Sequence, residues 1–300
     1  MKCIFFYRII SIFGKGFIIS ISIMESHLNN LDMDLENINW DELTDHEILS
    51  IISKFKTSWP TIKLSKSTRI ERAVGSLIGE DINSVSRLSY CPIRCMNEYQ
   101  KRNYQRCNTP GQEMFYGSIM PSDTDKIKLA RITSLCESSK LFREQTNGIE
   151  RFIFGKWELQ QELCCIIIVD DENNYNSRLL NDAQQYIKKQ NIKLTDNQRF
   201  LSKQFYKNIV HNKEYRLSAI YANFIFSEGI AAIIYPSSQT KSDGICIAIR
   251  PQVIDTNKLQ LTDALDTVGV MDGKYTLNNV GRFIVNQNGK LTYEKMNHDN

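Results

Sequence analysis

The chain has 300 residues, 42% hydrophobic and 24% charged, which excludes a disordered chain and allows one sizeable core. Lys and Arg number 37 against 34 Asp and Glu, and the formal charge of +3 gives no reason to expect direct nucleic-acid binding. The eight cysteines are scattered, which excludes a small disulfide scaffold and points to reduced thiols. Cys91, Cys95 and Cys107 lie close together, but no second pair or His-x-x-x-His follows at ligand spacing, so no metal site is expected.

Residues 3–23, CIFFYRIISIFGKGFIISISI, are the strongest compositional anomaly. Arg8 and Lys15 interrupt the apolar run, each costing roughly 2.5–3.5 kcal/mol at a bilayer centre, and no small-x-small cleavage pattern follows. Residues 1–23 are therefore read as an apolar leader or an over-called start, with Met24 opening a cytoplasmic protein. Membrane association is expected only if residues 1–23 are translated.

Between Asp34 and Lys56, Leu43, Ile48, Leu49, Ile51 and Ile52 recur at helical spacing behind Thr44, a suitable N-cap. Ile70 to Ile82 reads as a second short helix, making 24–83 an N-terminal helical extension. From Arg87 to Ser118 polar loops lead through the Thr109-Pro110-Gly111 turn into a strand at Met114-Phe115-Tyr116. Lys126 to Arg143 has a helical pattern that places Glu137 on a helix near the core, and CCIIIV at Cys164–Val169 reads as a buried strand.

Asn181 to Asn208 is polar and helical, the pattern of a surface insertion whose charged face is solvated or meets a partner or a second copy of the chain. Tyr215 to Glu228 is an amphipathic helix ending at Gly229. Ala231–Tyr235 and Ile245–Ile249 are buried strands. With no internal repeat, one α+β domain is the simplest organisation.

Arg106-Cys107-Asn108-Thr109-Pro110-Gly111-Gln112, followed by Phe115-Tyr116-Gly117-Ser118, puts an arginine, a tight turn and a tyrosine into one loop and strand. Taken alone, Arg106 could be a surface ion-pair partner and Tyr116 a core aromatic. RCNTPGQEMFYGS nevertheless resembles the Arg-x-Asn-Pro-Pro-Gly turn and tyrosine-ended strand of the RES family. ITSLCES agrees through Glu137, GIAAIIYPSSQTKSDGICIAI through Tyr235-Pro236-Ser237, and SRLSYCP supplies Arg87 as the family's first arginine. Thr109 stands where the family usually has its first proline, Cys246 where asparagine is often found, and the interval from Tyr116 to Glu137 is long, which keeps Glu144 as an alternative.

The resemblance covers about Arg87 to Leu265 and makes 84–300 a RES-like catalytic domain with an ADP-ribosyltransferase-like mixed β core surrounded by helices. It implies NAD as a substrate rather than a cofactor, with the nicotinamide–ribose bond cleaved by water or by phosphate as co-substrate. It implies in some cases a toxin paired with an antitoxin protein. Glu137, Arg106 and Tyr116 would be catalytic, and Arg87, Arg106, Asn108, Tyr116 and Ser237 would bind NAD. Transfer of ADP-ribose to a macromolecule and a degenerate RES-like NAD-binding module remain the alternatives, and self-association stays open. No Gly-x-Gly-x-x-Gly or Walker loop is present, so NAD would not be held in the Rossmann manner.

Overall fold

The computed structural model describes residues 10–14, 17–25, 35–55, 57–121, 127–208 and 212–296. Residues 1–9, at the head of the expected leader, lie outside them; residues 10–14 and 17–25 form strands β1 (Ile10–Gly14) and β2 (Phe17–Glu25), paired as an antiparallel hairpin.

The fold is α+β. Among the described residues twelve strands form one sheet in the order β1-β2-β3-β7-β8-β9-β5-β4-β6-β10-β11-β12, antiparallel except for β7 beside β8. Its centre is β3 (Ser58–Leu64), β7 (Leu163–Ile167), β8 (Ala232–Pro236), β9 (Ile245–Ile249) and β5 (Phe115–Ile119). Sequences such as ICIAI are apolar at every position because helices cover the sheet here on both faces. Toward the far edge, β6 (Gly148–Leu159), β10 (Leu259–Asp272), β11 (Lys274–Val285) and β12 (Leu291–Lys295) become half-exposed. At the start of β10, Leu259 and Leu261 are buried while Gln260 and Thr262 are exposed, the period-two pattern of a one-sided strand.

Several helices follow the local sequence directly. Helix α1 (Asp45–Ile52) begins at Thr44, whose hydroxyl accepts from the Glu47 amide while Glu47 accepts from Thr44, a reciprocal capping box. The next two, α2 (Val85–Leu88) and α3 (Glu98–Arg102), are short turns in the polar region. Helix α4 (Ile127–Ser138) and α5 (Lys140–Glu144) carry Glu137 and Glu144, and α8 (Arg216–Ser227) is the amphipathic helix expected before Gly229.

Two expectations are corrected. Residues 69–76 are strand β4 (Arg69–Ser76), not helix: β6 pairs along its whole length and β5 along its start, so sheet hydrogen bonding overrides a local pattern that also fits a helix. Segment 24–83 thus contributes β3 and β4 to the interior of the sheet beside α1. The 181–208 region is helical, as α6 (Arg178–Lys189) and α7 (Asp196–Tyr206), but it is no surface insertion. Leu180, Ala183 and Ile187 of α6 close the core on one face, and Leu201 and Phe205 of α7 join α1 and α8 on the other. Its low average hydropathy concealed the apolar stripes. The ninth helix, α9 (Pro251–Asp255), links β9 to β10.

Candidate functional site

Strands β4 and β5 pair over only two residues, Ile70 with Ile119 and Glu71 with Ser118, and then part. Above β5 and β9, between α4 on one side and the 105–112 loop with Tyr215 on the other, lies a cleft of about 1140 Å³. Arg106, Asn108, Tyr116 and Glu137 all line it.

The Arg106 side of the cleft is built from the turn. Gly111 takes a φ of +72°, which favours glycine, and Asn108 Nδ2 donates to Gln112 O at 3.0 Å across the loop. Gln112 Nε2 donates to Asn223 Oδ1 at 2.6 Å, tying the loop to α8. The Tyr116 hydroxyl donates to Asn108 Oδ1 at 2.5 Å and accepts from the Cys107 amide at 2.9 Å, which fixes the ring. Burial pushes this phenol well above its ordinary value, so it stays neutral.

Arg106 is 5% exposed. Its Nη1 donates to Phe205 O at 2.5 Å, and its Nη2 donates to Ser238 Oγ at 3.1 Å and the Tyr215 hydroxyl at 3.3 Å. The guanidinium lies 4.8 Å from the Tyr215 ring centre and 5.7 Å from that of Tyr235. Among the described residues it has no carboxylate within ion-pair distance, so its charge reaches the cleft uncompensated by direct contact.

The opposite side is α4. Its last carbonyls, of Cys136 and Glu137, accept from Arg143 Nη1 at 2.8 and 3.0 Å. Glu137 Oε1 accepts from Ser237 Oγ at 2.7 Å and from Cys246 Sγ at 3.6 Å, which joins α4 to the turn after β8 and to β9. The approach is close enough that a Cβ on Gly244 would stand 2.0 Å from Thr133 Oγ1. Ser237 is completely buried, beneath the cleft rather than lining it. Glu144 sits at the rim, paired with Lys140 at 3.7 Å, so Glu137 is the carboxylate integrated into the site.

Arg87 does not join this constellation. Its Nε donates to Glu80 Oε1 at 2.8 Å and its Nη2 to Gly75 O at 3.0 Å, and it does not line the cleft. Besides Arg106, the arginines that do are Arg143 of α5 and Arg72 of β4, the latter in the segment expected as helix. Arg72 is the more deeply placed of these two. It reaches through the gap where β4 and β5 part, and its Nη1 donates to the Tyr116 carbonyl at 2.6 Å. Its Nε is buried with no hydrogen-bond partner, and among the described residues no carboxylate pairs with it. Burial pushes its pKa down to about 10, still a cation at neutral pH. Reading RIERAVG with period two would have set Ile70, Arg72 and Val74 on one face and brought this residue forward.

Among the described residues no group of three or more His, Cys, Asp or Glu side chains is placed to hold a metal ion, and no helix is long and apolar enough to cross a membrane. Compared with protein-family models and with curated proteins, the chain has no match.

Proposed function

We propose that the protein is an NAD-degrading enzyme that breaks the nicotinamide–ribose bond, the activity implied by its resemblance to the RES family, on an ADP-ribosyltransferase-like core. The observation that carries this reading is the convergence of Glu137, hydrogen-bonded to Ser237, with Arg106 and Tyr116 on one cleft, from segments far apart in the chain.

The chemistry asks little of the protein in protons. As the C–N bond breaks, its electron pair neutralises the pyridinium, so nicotinamide leaves without a general acid, unlike an ordinary glycoside aglycone. What needs stabilising is the positive charge developing on the ribose, and the Glu137 carboxylate supplies an anion for it within the cleft. Water or phosphate then bonds to the ribose carbon.

Two arginines without carboxylate partners suit a pyrophosphate. The terminal nitrogens of Arg106 are engaged by Phe205, Ser238 and Tyr215, so it acts chiefly through charge, while Arg72 adds a second cation. The fixed ring of Tyr116 offers a flat face to nicotinamide. A cytoplasmic location, where NAD is abundant, and pairing with an antitoxin belong to the same reading.

The test is incubation of purified protein with labelled NAD, with and without phosphate, and identification of products by mass. Free nicotinamide with soluble ADP-ribose or its phosphate is expected, abolished in Arg106→Ala and Glu137→Ala. Label in a macromolecule would mean ADP-ribosyl transfer, and calorimetric binding without turnover would mean a binding module.

A further inference from the structure

The two oxygens of the Glu137 carboxylate are not equivalent. Oε1 accepts both the Ser237 hydroxyl and the Cys246 thiol, at 2.7 and 3.6 Å. Both donors are buried, Ser237 beneath the cleft and Cys246 in its floor, whereas Glu137 is only half-buried and lines it. Among the described residues, Oε2 has no hydrogen-bond donor.

We propose that Cys246 is a positioning residue for the reaction: with Ser237 it fixes Oε1 of Glu137 and leaves Oε2 as the oxygen that meets the ribose. This rests on the NAD-cleaving function proposed above. The two donors have different mountings. Ser237 lies in a turn whose later residues, Lys241 and Ser242, take left-handed conformations. Cys246 stands in the middle of the sheet, opposite Tyr235 on β8 and Ser118 on β5, so strand pairing on both sides dictates where its sulfur points.

A thiol suits the place. Burial and the neighbouring Glu137 push it well above its ordinary value, so it keeps its proton and donates weakly without adding charge. The other titratable or charged groups facing Glu137 are Arg106, Tyr215, Cys136 and Arg143. Substitution at position 246 leaves all four in place.

The experiment compares Cys246→Ala and Cys246→Ser with the full wild-type chain. It reads kcat and KM for nicotinamide release. Cys246→Ala should lower kcat roughly tenfold with KM nearly constant, as expected for loss of a hydrogen bond to a charged group. Cys246→Ser, which keeps a donor at this place, should recover kcat. If Cys246→Ala does not fold, Cys246→Val gives a second non-donating side chain of similar volume.

Wild-type kcat in the non-donating variant, beside normal wild-type turnover, would overturn this inference alone. A lowered kcat with no recovery in Cys246→Ser would overturn it too, assigning Cys246 to packing. Absence of nicotinamide release from wild type would instead overturn the functional reading, and the assignment of Oε2 to the ribose with it.

Discussion

On one face of the sheet, Phe115, Ile153, Trp157, Ile247 and Ile249 pack with α6 into an apolar core, touched by charge only where the Arg72 guanidinium lies 5.2 Å from the Phe115 ring centre. On the other, the same central strands run under Arg106, Asn108, Thr133 and Ser237, all buried and all polar. Burying such groups costs free energy unless each finds a partner, and loops and helix ends supply most of the partners here. Both faces carry an apolar core, but the second, beside its packing against α1, α7 and α8, gives up some of that stabilisation to assemble a charged cleft. Substitutions on the two faces should therefore separate into losses of stability and losses of function.

The largest effect belongs to the apolar face. Trp157, 1% exposed and edge-on to Phe115 at 5.2 Å, should on replacement by alanine cost about 3–5 kcal/mol in urea unfolding. Glu137→Gln should lower kcat for nicotinamide release by about 10² to 10³-fold, the loss typical of removing one preorganised electrostatic group. Its urea midpoint should stay near wild type; a large fall in stability would blur the distinction between the faces.

Arg72→Met should weaken NAD binding roughly tenfold or more by calorimetry, as expected for loss of a charge-assisted contact. Its unfolding midpoint should equal or exceed that of wild type, because the substitution removes a buried nitrogen that lacks a partner.

Arg87→Ala should do least: under about 1 kcal/mol of stability, as for other solvent-exposed ion pairs, and no change in turnover. Hydrogen bonds from Arg87 are the main cause holding Glu80 near pKa 2 instead of 4.5. A depressed carboxylate contributes stability above its unfolded pKa that is lost as pH falls through the folded one. The acid-induced loss between about pH 4.5 and 2 should therefore be shallower in Arg87→Ala.

Much of the cleft was legible in the sequence because its signals are local. Thr44 before Glu47 is a cap, Thr109-Pro110-Gly111 a turn, and ICIAI a doubly covered strand, each on the evidence of a few neighbouring residues. Strand β6 gave no such signal. Its sequence, GIERFIFGKWEL, carries charges whose ion-pair partners lie across the sheet, Arg151 on Asp266 and Lys156 on Asp263 of β10. The same limit separates Arg72 from Arg87. Which arginine enters the cleft depends on where β4 parts from β5, a relation between residues more than forty positions apart in sequence.

The order of strands in the sheet bears on how the molecule comes to exist. Thr61 pairs with Ile166, Arg69 with Glu158 and Trp157 with Leu261, so neighbours in space are separated by about a hundred residues of chain. Closing such long loops costs entropy before any contact rewards it, the mark of a slow-folding topology. β9 is the strand that bridges β8 to β5. A nascent chain that has not yet emerged as far as Cys246 therefore has Arg72, Arg106 and Glu137 but lacks the strand that joins the two halves of the sheet beneath them, and whatever chemistry the cleft performs begins only late in synthesis.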